Sequence, residues 1–413
     1  MTADESACRE LILLPSLKAR RGAQGRLVVT RKFLEGAAQY ARTWPGPVTS
    51  LVALDTRPGI DMDQVEVAPD ILETGLELRP ENKAALAARL SNAAVVLALL
   101  SPDETDTVAL CRQIGLPVVF VSEYSPRTEL QIINVTTPNP LRRLRRRLYV
   151  MGAERKRRRL ARDYAAGLQC NGTPTYEIYA PIAPDAFLYF DNRVRAKDVI
   201  DDQMLEAKCT QMNKGAPLRL VFGGRLSAMK GVLELPQVAQ ALDRLKVPYQ
   251  MDIYGSGDQE EVLRHCIAER ALSDRVVVHP PVDFSSEWIP FLKQNADLFV
   301  CCHPQGDPSS TYTEVMSCGV PIVGYANEAF AGVVSESGAG WCVPLGDAAG
   351  LAAQIEKLHN DRAALREMAY RGRNFGASHC FEPTFHKRAT HLIRASRLPQ
   401  ALKSQSLEGR TGI

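Results

Sequence analysis

The stretch VFGGRLSAMKG (residues 221–231) joins an apolar run to two glycines and two cations. Arg225 and Lys230 would stand at the carboxyl end of a strand, beside the N–H groups of a helix that we expect to begin near Lys230. Arginine can clamp a phosphate with two hydrogen bonds, and lysine adds a mobile point charge. The pattern therefore favours a diphosphate site with Gly224 in its turn, and the alternative is a plain turn with solvated cations.

Two further stretches combine a strand, a polar turn and a helix start. DIYGSGDQEEV (residues 252–262) makes Tyr254 and Gly255 candidates for nucleotide contacts, although a tight turn alone would explain the pattern equally well. In HPQGDPSSTYTE (residues 303–314), Ser309 and Ser310 are candidate N-caps. Glu314 would lie one turn into that helix, where its carboxylate could accept hydrogen bonds from a vicinal diol such as ribose. The alternative role for Glu314 is a capping box.

The elements that position these residues follow from the apolar pattern. A chain of 413 residues with 45% hydrophobic and 23% charged residues suggests a soluble protein of two domains. Short runs that are apolar on both faces, such as PVVFVS and LRLVFGG, alternate with helical segments in both halves. This alternation predicts an α/β fold with two doubly wound domains of parallel strands.

The domain organisation that we expect has five parts, since a polar KGAP-containing stretch interrupts the pattern near residue 213 and the last helical segment follows the second set of strands. They are an N-terminal Rossmann-like domain (1–206), a linker (207–217), a C-terminal Rossmann-like domain (218–373), a terminal helix (374–398) and a mobile tail (399–413).

Four motifs, GRLSAMKG, YGSGDQEE, DLFVCCHPQGDPSSTYTEVMSCGVPIVGY and GAGWCVPLGD, follow one another between residues 218 and 347. In order and spacing they resemble the nucleotide-binding domain of family 4 glycosyltransferases. The resemblance implies the GT-B fold, in which two Rossmann-like domains face each other across a cleft. It implies that the N-terminal domain lies on the acceptor side, that the C-terminal domain binds the nucleotide sugar, and that the terminal helix (374–398) crosses back to the N-terminal domain. It also implies that Arg225 and Lys230 neutralise the donor diphosphate, that Glu314 holds the ribose, and that backbone amides from Ser309 to Thr311 lie near the phosphate and sugar.

One position departs from the family pattern. The family usually has a second glutamate eight residues before the ribose glutamate, where it contacts the transferred sugar, and Gly306 stands there in this chain. Asp307 is the nearest acid and the first candidate for that role, followed by Gln305. The difference predicts either a changed donor sugar or a local variant without consequence.

The N-terminal half resembles the family less. All seven histidines follow residue 264, so the N-terminal domain cannot supply the histidine that many family members place near the transferred sugar. The loop EYSPR, after the strand PVVFVS, makes Glu123 the catalytic candidate there, with Tyr124 and Arg127 beside it. An ordinary polar loop is the alternative.

Two other N-terminal segments are candidates for the cleft. The loop LKARRGAQGRL is basic, Gly22 allows close backbone approach, and a helix is expected from about Val28. In LQCNGTPTYEIY (residues 168–179), the pair Asn171 and Gly172 predicts a turn between two strand-like segments. That segment either lines the cleft or forms a hairpin.

Residues 142–162 hold eleven Lys or Arg and one acid, a local charge of +10 in a chain whose net charge is +3. On a helix, Leu141, Leu144, Leu148 and Met151 form one apolar stripe flanked by arginines. Such a helix over residues 141–162 suits an anionic membrane surface or a lipid-pyrophosphate acceptor. A stripe that packs on the core is the main alternative, and nucleic acid is disfavoured because no stacking aromatics interleave the arginines.

The resemblance implies a retaining glycosyltransferase of the hexosyltransferase type, working from a nucleotide diphosphate sugar towards a lipid-linked or polysaccharide acceptor. The resemblance also implies that the reaction needs no metal, and no cofactor is expected; the sequence has no evident metal-ligand cluster. The ten cysteines form no C-x-x-C pair, and neither a secretion signal nor a transmembrane run is visible, so we expect a cytoplasmic protein with the basic helix as its contact to the membrane face. The alternatives are a GT-B sugar-nucleotide epimerase and a lipid- or RNA-binding protein with a degenerate pocket.

Overall fold

A computed structural model describes residues 9–55, 63–212 and 216–397 of the chain, and these residues form two α/β domains built on two sheets. The strands are β1 (Glu10–Leu14), β2 (Lys18–Arg21), β3 (Leu27–Thr30), β4 (Val48–Leu54), β5 (Gln64–Val67), β6 (Gly75–Leu78), β7 (Ala93–Leu99), β8 (Val118–Ser122), β9 (Ala165–Asn171), β10 (Ala186–Tyr189), β11 (Leu218–Gly223), β12 (Tyr249–Tyr254), β13 (Val276–His279), β14 (Leu298–Cys301), β15 (Ile322–Tyr325) and β16 (Trp341–Val343). The α-helices are α1 (Arg31–Thr43), α2 (Lys83–Leu90), α3 (Thr105–Gln113), α4 (Pro126–Thr136), α5 (Pro140–Asp163), α6 (Thr173–Tyr179), α7 (Asp202–Met212), α8 (Leu235–Arg244), α9 (Glu260–Glu269), α10 (Ile289–Asn295), α11 (Thr311–Ser317), α12 (Glu328–Ser337), α13 (Ala348–Asn360), α14 (Arg362–Ser378) and α15 (Phe381–Ser396).

The N-terminal sheet follows the order β10-β9-β8-β7-β1-β4-β2-β3-β5, with β6 also paired to β4. Its central strands β1, β7 and β8 are parallel and buried on both faces, which explains their unbroken apolar sequences. Among the described strands of this sheet, the pairs β2–β3 and β3–β5 at one end are antiparallel. The carboxyl ends of the parallel strands therefore meet at one edge of the sheet.

The C-terminal sheet has six parallel strands in the order β13-β12-β11-β14-β15-β16. Counted from the start of this domain, the order is third, second, first, fourth, fifth, sixth, which is the order of the dinucleotide-binding Rossmann fold. The order reverses between β11 and β14, and the connections that leave these two strands diverge to open a crevice. Residues 224–231 and 302–310 follow these strands, so both lie where such sheets bind ligands.

Three local predictions were wrong. The helix expected from Val28 begins at Arg31, because residues 27–30 pair as β3 with β2 and β5, and Thr30 caps the helix by accepting from the N–H of Phe33. After Asn171 the chain forms α6 rather than a second strand, with Gly172 at φ +80° as its N-cap.

The third concerns the linker predicted over residues 207–217. Its first part belongs to α7, because Leu205, Cys209 and Met212 pack into the core of the C-terminal domain. Residues 213–215 lie outside the described part of the chain, and so does the tail predicted over 399–413.

Within the described ranges the chain passes between the domains twice, at residues 190–201 and at residues 379–380. Helix α14 stays on the C-terminal domain against α11, so the crossing helix begins at Phe381 and not at residue 374. Helix α15 buries Phe385 and Leu392 against α1 and the N-terminal sheet. The two crossings touch: the N–H of Phe381 donates to the carbonyl of Val194 at 2.9 Å.

Candidate functional site

The loop after β11 contains two short 3₁₀ turns (Ala228–Lys230 and Val232–Glu234), and α8 begins only at Leu235, later than predicted. Gly231 lies at φ +62°, and a Cβ atom there would sit 2.0 Å from the carbonyl oxygen of Cys302. Only glycine allows this approach, which holds the first candidate loop against the beginning of the second.

Lys230 connects the two candidate loops. Its Nζ lies 3.0 Å from Oδ2 of Asp307 and 3.4 Å from Oγ of Ser309. Arg225 stands exposed on the same loop. Its charge acts on Tyr124 of the N-terminal domain, a partly exposed phenol whose pKa is raised by desolvation between the domains and by the charge of Asp307. The structure thus brings both predicted phosphate cations and Asp307 to one place between the domains.

The end of β12 supports this arrangement. Tyr254 and Gly255 lie there, next to Gly224 of the first loop. The N–H of Gly224 donates to the carbonyl of Tyr254 at 3.0 Å. A Cβ atom at Gly255 would lie 1.9 Å from the oxygen of Gly224. The Tyr254 ring stacks on His279 at 4.4 Å and packs against Phe291, so this side chain serves the core of the domain and its backbone serves the loop.

Glu314 is buried in α11 and does not form a capping box. Its Oε1 accepts from Nε of Arg193 at 2.7 Å and its Oε2 accepts from a terminal nitrogen of the same guanidinium at 3.3 Å. That guanidinium lies 4.0 Å above the ring of Phe284. Arg193 was not identified from the sequence, because it lies 121 residues from Glu314 in a crossing segment without a periodic pattern.

The predicted N-cap residues lie where the helix begins. Ser310 is the N-cap of α11 but its side chain makes no capping hydrogen bond, and Thr311 is the first helical residue. The N–H of Ser309 donates to the carbonyl of Asp307 at 2.7 Å, which curls the loop towards Lys230.

Gly306, which stands where an acid was expected, lies at the contact between the domains. A Cβ atom there would be 2.4 Å from Cγ of Glu328 and 2.7 Å from Oγ1 of Thr128. The carboxylate of Glu328 accepts hydrogen bonds from the hydroxyls of Ser125 and Thr128, at the start of α4. An acidic side chain at position 306 would collide with this contact, so the glycine is a packing requirement.

Gln305 and Asp307 differ sharply in their surroundings. Gln305 is buried, its side-chain amide donates to the carbonyl of Met229 at 3.2 Å, and its oxygen accepts from the N–H of Asp307 at 2.6 Å. Asp307 keeps a fifth of its side chain exposed beside Lys230. Of the two substitutes proposed for the absent acid, Asp307 is therefore the one that faces the site.

Glu123 lies across the cleft, after β8, and lines a cavity of about 280 Å³ at the carboxyl edge of the N-terminal sheet. Glu123 is exposed to the cavity, where desolvation by the surrounding protein raises its pKa and the negative charges of Asp191 and Asp307 raise it further. Arg127 is exposed in the first turn of α4. Gly22 lies in the β2–β3 turn beside Glu66 and does not line this cavity.

The prediction that the N-terminal domain has no histidine needs correction, because α15 carries two onto it. His391 is buried with Nε2 2.9 Å from the carbonyl of Asp185, and His386 faces the hydroxyl of Thr43. Neither lines the cavity beside Glu123. His303, at the start of the second loop, is buried and 3.2 Å from the hydroxyl of Tyr312. His391 and His303 are therefore packing residues, whereas His386 is exposed.

The basic segment forms helix α5, whose apolar stripe does not pack on the core. Leu141, Leu144, Leu148 and Met151 are between 57% and 78% exposed, whereas Val150, on the other side of the helix, is buried. Within the described residues, no ion pair with a carboxylate is recorded for the five arginines between positions 142 and 147, while Arg157 pairs with Glu129. The first half of α5 thus presents leucines and uncompensated arginines to solvent. None of the described helices has the length and apolarity needed to span a bilayer.

In the ranges that the structure describes, no group of three His, Cys, Asp or Glu side chains could hold a metal ion. The positive charges on the two candidate loops come from the side chains of Arg225 and Lys230.

Comparisons with known proteins agree with this architecture. Residues 210–375 match the family described as Glycosyl transferases group 1. The putative colanic acid biosynthesis glycosyltransferase WcaL of Salmonella typhimurium is 25% identical over 187 residues, 44% of this chain and 46% of that protein. The amylovoran biosynthesis glycosyltransferase AmsK of Erwinia amylovora is 29% identical over 154 residues, 36% and 37% of the two chains. The matched region thus spans less than half the length of these relatives.

The crystal structure of Anabaena HepE in complex with UDP matches 94% of this chain and 100% of that chain, with a TM-score of 0.62 and 13% identity. At this identity the likeness establishes the fold. The predicted α/β architecture of two Rossmann-like domains, and the recognition of the GT-B type, are confirmed.

Proposed function

We propose, since residues 210–375 carry a domain of the group 1 glycosyl transferases, that this protein is a retaining glycosyltransferase acting on a nucleotide diphosphate sugar. The acceptor that we propose is lipid-linked or a growing polysaccharide, in keeping with the polysaccharide roles named for WcaL and AmsK. The observation that carries the proposal is the meeting of Lys230 with Asp307 and Ser309 at the point where the strand order reverses.

In the proposed reaction Arg225 and Lys230 stabilise the charge that develops on the departing diphosphate, without a metal ion. Groups that are already oriented towards developing charge often make the largest contribution to catalysis. The acceptor attacks from the face that the nucleotide leaves, and a donor phosphate oxygen takes the acceptor's proton. Asp307 neutralises Lys230, so a diphosphate competes with Asp307 for the ammonium group.

Glu314 supplies the proposed ribose contact. A carboxylate has about four lone-pair sites, and Arg193 uses one on each oxygen. The remaining site on each oxygen suits the two hydroxyls of a vicinal diol. Because Glu314 has only 2% of its side chain exposed, the diol reaches it when the guanidinium of Arg193 shifts across Phe284.

The first test is thermal unfolding with UDP, GDP and ADP and their sugar conjugates, beginning with UDP, which Anabaena HepE binds. A nucleotide present at about 100 times its Kd stabilises the folded state by roughly 2.7 kcal/mol, a clear rise in Tm. We expect one base to give this rise. Product analysis then distinguishes a transferred sugar from a rearranged sugar nucleotide, which would indicate an epimerase. A Tm unchanged by every nucleotide would overturn the proposed function.

We further propose that the first half of α5 binds an anionic membrane on its cytoplasmic face. Its leucine stripe points away from the protein, and each basic residue near anionic headgroups contributes about 1 kcal/mol. Apolar side chains between such arginines can insert at the headgroup boundary.

Co-sedimentation with vesicles tests this attachment. We expect binding to phosphatidylglycerol-containing vesicles and none to pure phosphatidylcholine at physiological salt. Leu144→Gln combined with Leu148→Gln should weaken binding at least tenfold, with the fold unchanged because both side chains are already exposed. Leu345→Gln, on an exposed leucine of the other domain, is the matched control. Equal binding by the double variant and the control would contradict the proposal.

A further inference from the structure

The cavity beside Glu123 has polar groups that the proposed donor site does not use. Its walls come from the ends of β1, β7, β8 and β10, from α1 and from α15. It lies next to the donor site, because the hydroxyl of Thr313 on α11 donates to the carbonyl of Asp191 at 2.6 Å. At about 280 Å³ it is slightly below the usual range for drug-sized ligands, and so suits a single sugar ring.

Arg388 of α15 is the most unusual of these groups. It is 8% exposed, and its guanidinium lies 4.2 Å from the ring of Tyr189 and 5.2 Å from that of Phe385. Its Nε donates to Oε1 of Gln169 at 2.8 Å, and this is the one acceptor recorded for its side chain within the described residues. Arginine has five N–H donors in a planar fork, so the two terminal nitrogens retain their capacity to bind an anion.

Tyr40 lines the same cavity and is buried, with its ring 5.4 Å from the guanidinium of Arg388. Its hydroxyl has no hydrogen-bond partner in the described part of the chain. Buried polar groups are generally paired, so an unpaired hydroxyl at a cavity wall indicates a ligand that supplies the partner.

The charges of the residues that line the cavity nearly cancel, so it suits a ligand that carries at most one negative charge. Lys32 pairs with Asp191 at 2.5 Å, so these two groups balance each other. The positive charge of Arg388 interacts with the negative charges of Asp191 and Glu123. Within the described residues, Arg388 donates no hydrogen bond to either carboxylate. A monoanion can pair with Arg388, whereas a diphosphate would bring a second negative charge towards both carboxylates.

We infer that this cavity holds an acidic sugar of the glycosyl acceptor, with its carboxylate on the terminal nitrogens of Arg388 and its hydroxyls on Tyr40 and Glu123. The inference rests on the proposed function, since it names the acceptor class for the same reaction. Arg388 and Tyr40 would then determine acceptor specificity, and the positive charge comes from the last helix of the chain.

The test is ligand-observed NMR titration in the presence of the nucleotide that raises Tm, with methyl glucuronide, methyl glucoside and inorganic pyrophosphate as probes. We expect the glucuronide to bind at least tenfold more tightly than the glucoside. Arg388→Gln should remove this difference, and Tyr40→Phe should weaken glucuronide binding. Arg394→Gln, on the same helix but paired with Asp185, is the matched control.

The other possible results of the titration each decide for or against the inference. Equal affinity for the two sugars, with the nucleotide shift retained, overturns the inference and leaves the proposed function standing. Tighter binding of pyrophosphate than of glucuronide would assign the cavity to phosphate and also overturns it. If Arg388→Gln does not fold, as judged by loss of the nucleotide shift, Tyr40→Phe decides, since it removes only a hydroxyl without a partner. Unchanged glucuronide affinity in Tyr40→Phe would then reject the site.

Discussion

Replacing Lys230 by alanine is expected to lower the rate of sugar transfer by about 10²–10³, the loss typical of removing one group that stabilises developing charge. Lys230 is the cation that joins the two loops of the donor site, and a diphosphate leaving group carries its charge beside it. The fold should persist, because Asp307 retains partial exposure to water when its partner is removed. Steady-state kinetics with the identified donor measure the loss, and the circular dichroism spectrum should match that of the wild type.

Two companion variants sharpen this prediction. Lys357→Ala, at an exposed position in the last turn of α13, removes the same charge far from the loops and should leave the rate unchanged. Asp307→Asn separates two roles of that residue. If Asp307 only neutralises Lys230, nucleoside diphosphate binding tightens and transfer continues, whereas a contact with the transferred sugar predicts lost transfer. Near-normal activity of Lys230→Ala would reject Lys230 as a catalytic residue.

Glu314→Gln is expected to weaken nucleotide binding by roughly ten- to a hundredfold. Hydrogen bonds to charged groups contribute about 1.5–3 kcal/mol, and an amide can accept through only one of its two terminal atoms. The variant leaves the guanidinium of Arg193 without its partner, but about a third of that side chain is exposed and can be hydrated, so the free energy of unfolding should fall less than in Arg193→Ala. Isothermal titration calorimetry with the nucleotide measures the affinity, and Glu336→Gln, on the exposed end of α12, is the control.

Arg193→Ala should give a different result at the same contact. It leaves the carboxylate of Glu314 buried without its cation, and breaking a buried ion pair in this way typically costs about 3–5 kcal/mol of stability. Chemical denaturation of the two variants would show this asymmetry. If Glu314→Gln proves the less stable protein and retains full nucleotide affinity, Glu314 is a structural residue only.

Much of this architecture follows from apolar periodicity and strand ends. Strands such as β7 and β14 are apolar without interruption because both faces are covered, so their parallel pairing can be predicted from sequence. The loops carrying Lys230 and Asp307 each follow such a strand, and the family resemblance assigned them to one donor site. Helix boundaries were less predictable at the sheet edge, where β2 and β3 are short and Arg20 and Arg21 interrupt the apolar pattern.

The residues that sequence reasoning missed come from the crossings between domains. Arg193 and Arg388 lie in segments that leave one domain and pack on the other, and their partners are distant in sequence. Periodicity describes a residue's own element and carries no information about such contacts. Gly306 illustrates the same limit, because its small size is explained only by Thr128 and Glu328 on either side.

The paired crossings have a mechanical consequence. A domain joined to another by one chain segment can rotate about any axis. A domain joined by two adjacent segments rotates chiefly about the line through both. Here residues 190–201 and the junction before α15 lie side by side, linked by the hydrogen bond from Phe381 to Val194. The two domains should therefore open and close about a hinge axis that runs through these two crossings. Cutting the chain before Phe381 would leave a single covalent connection, so the direction of rotation would no longer be restricted.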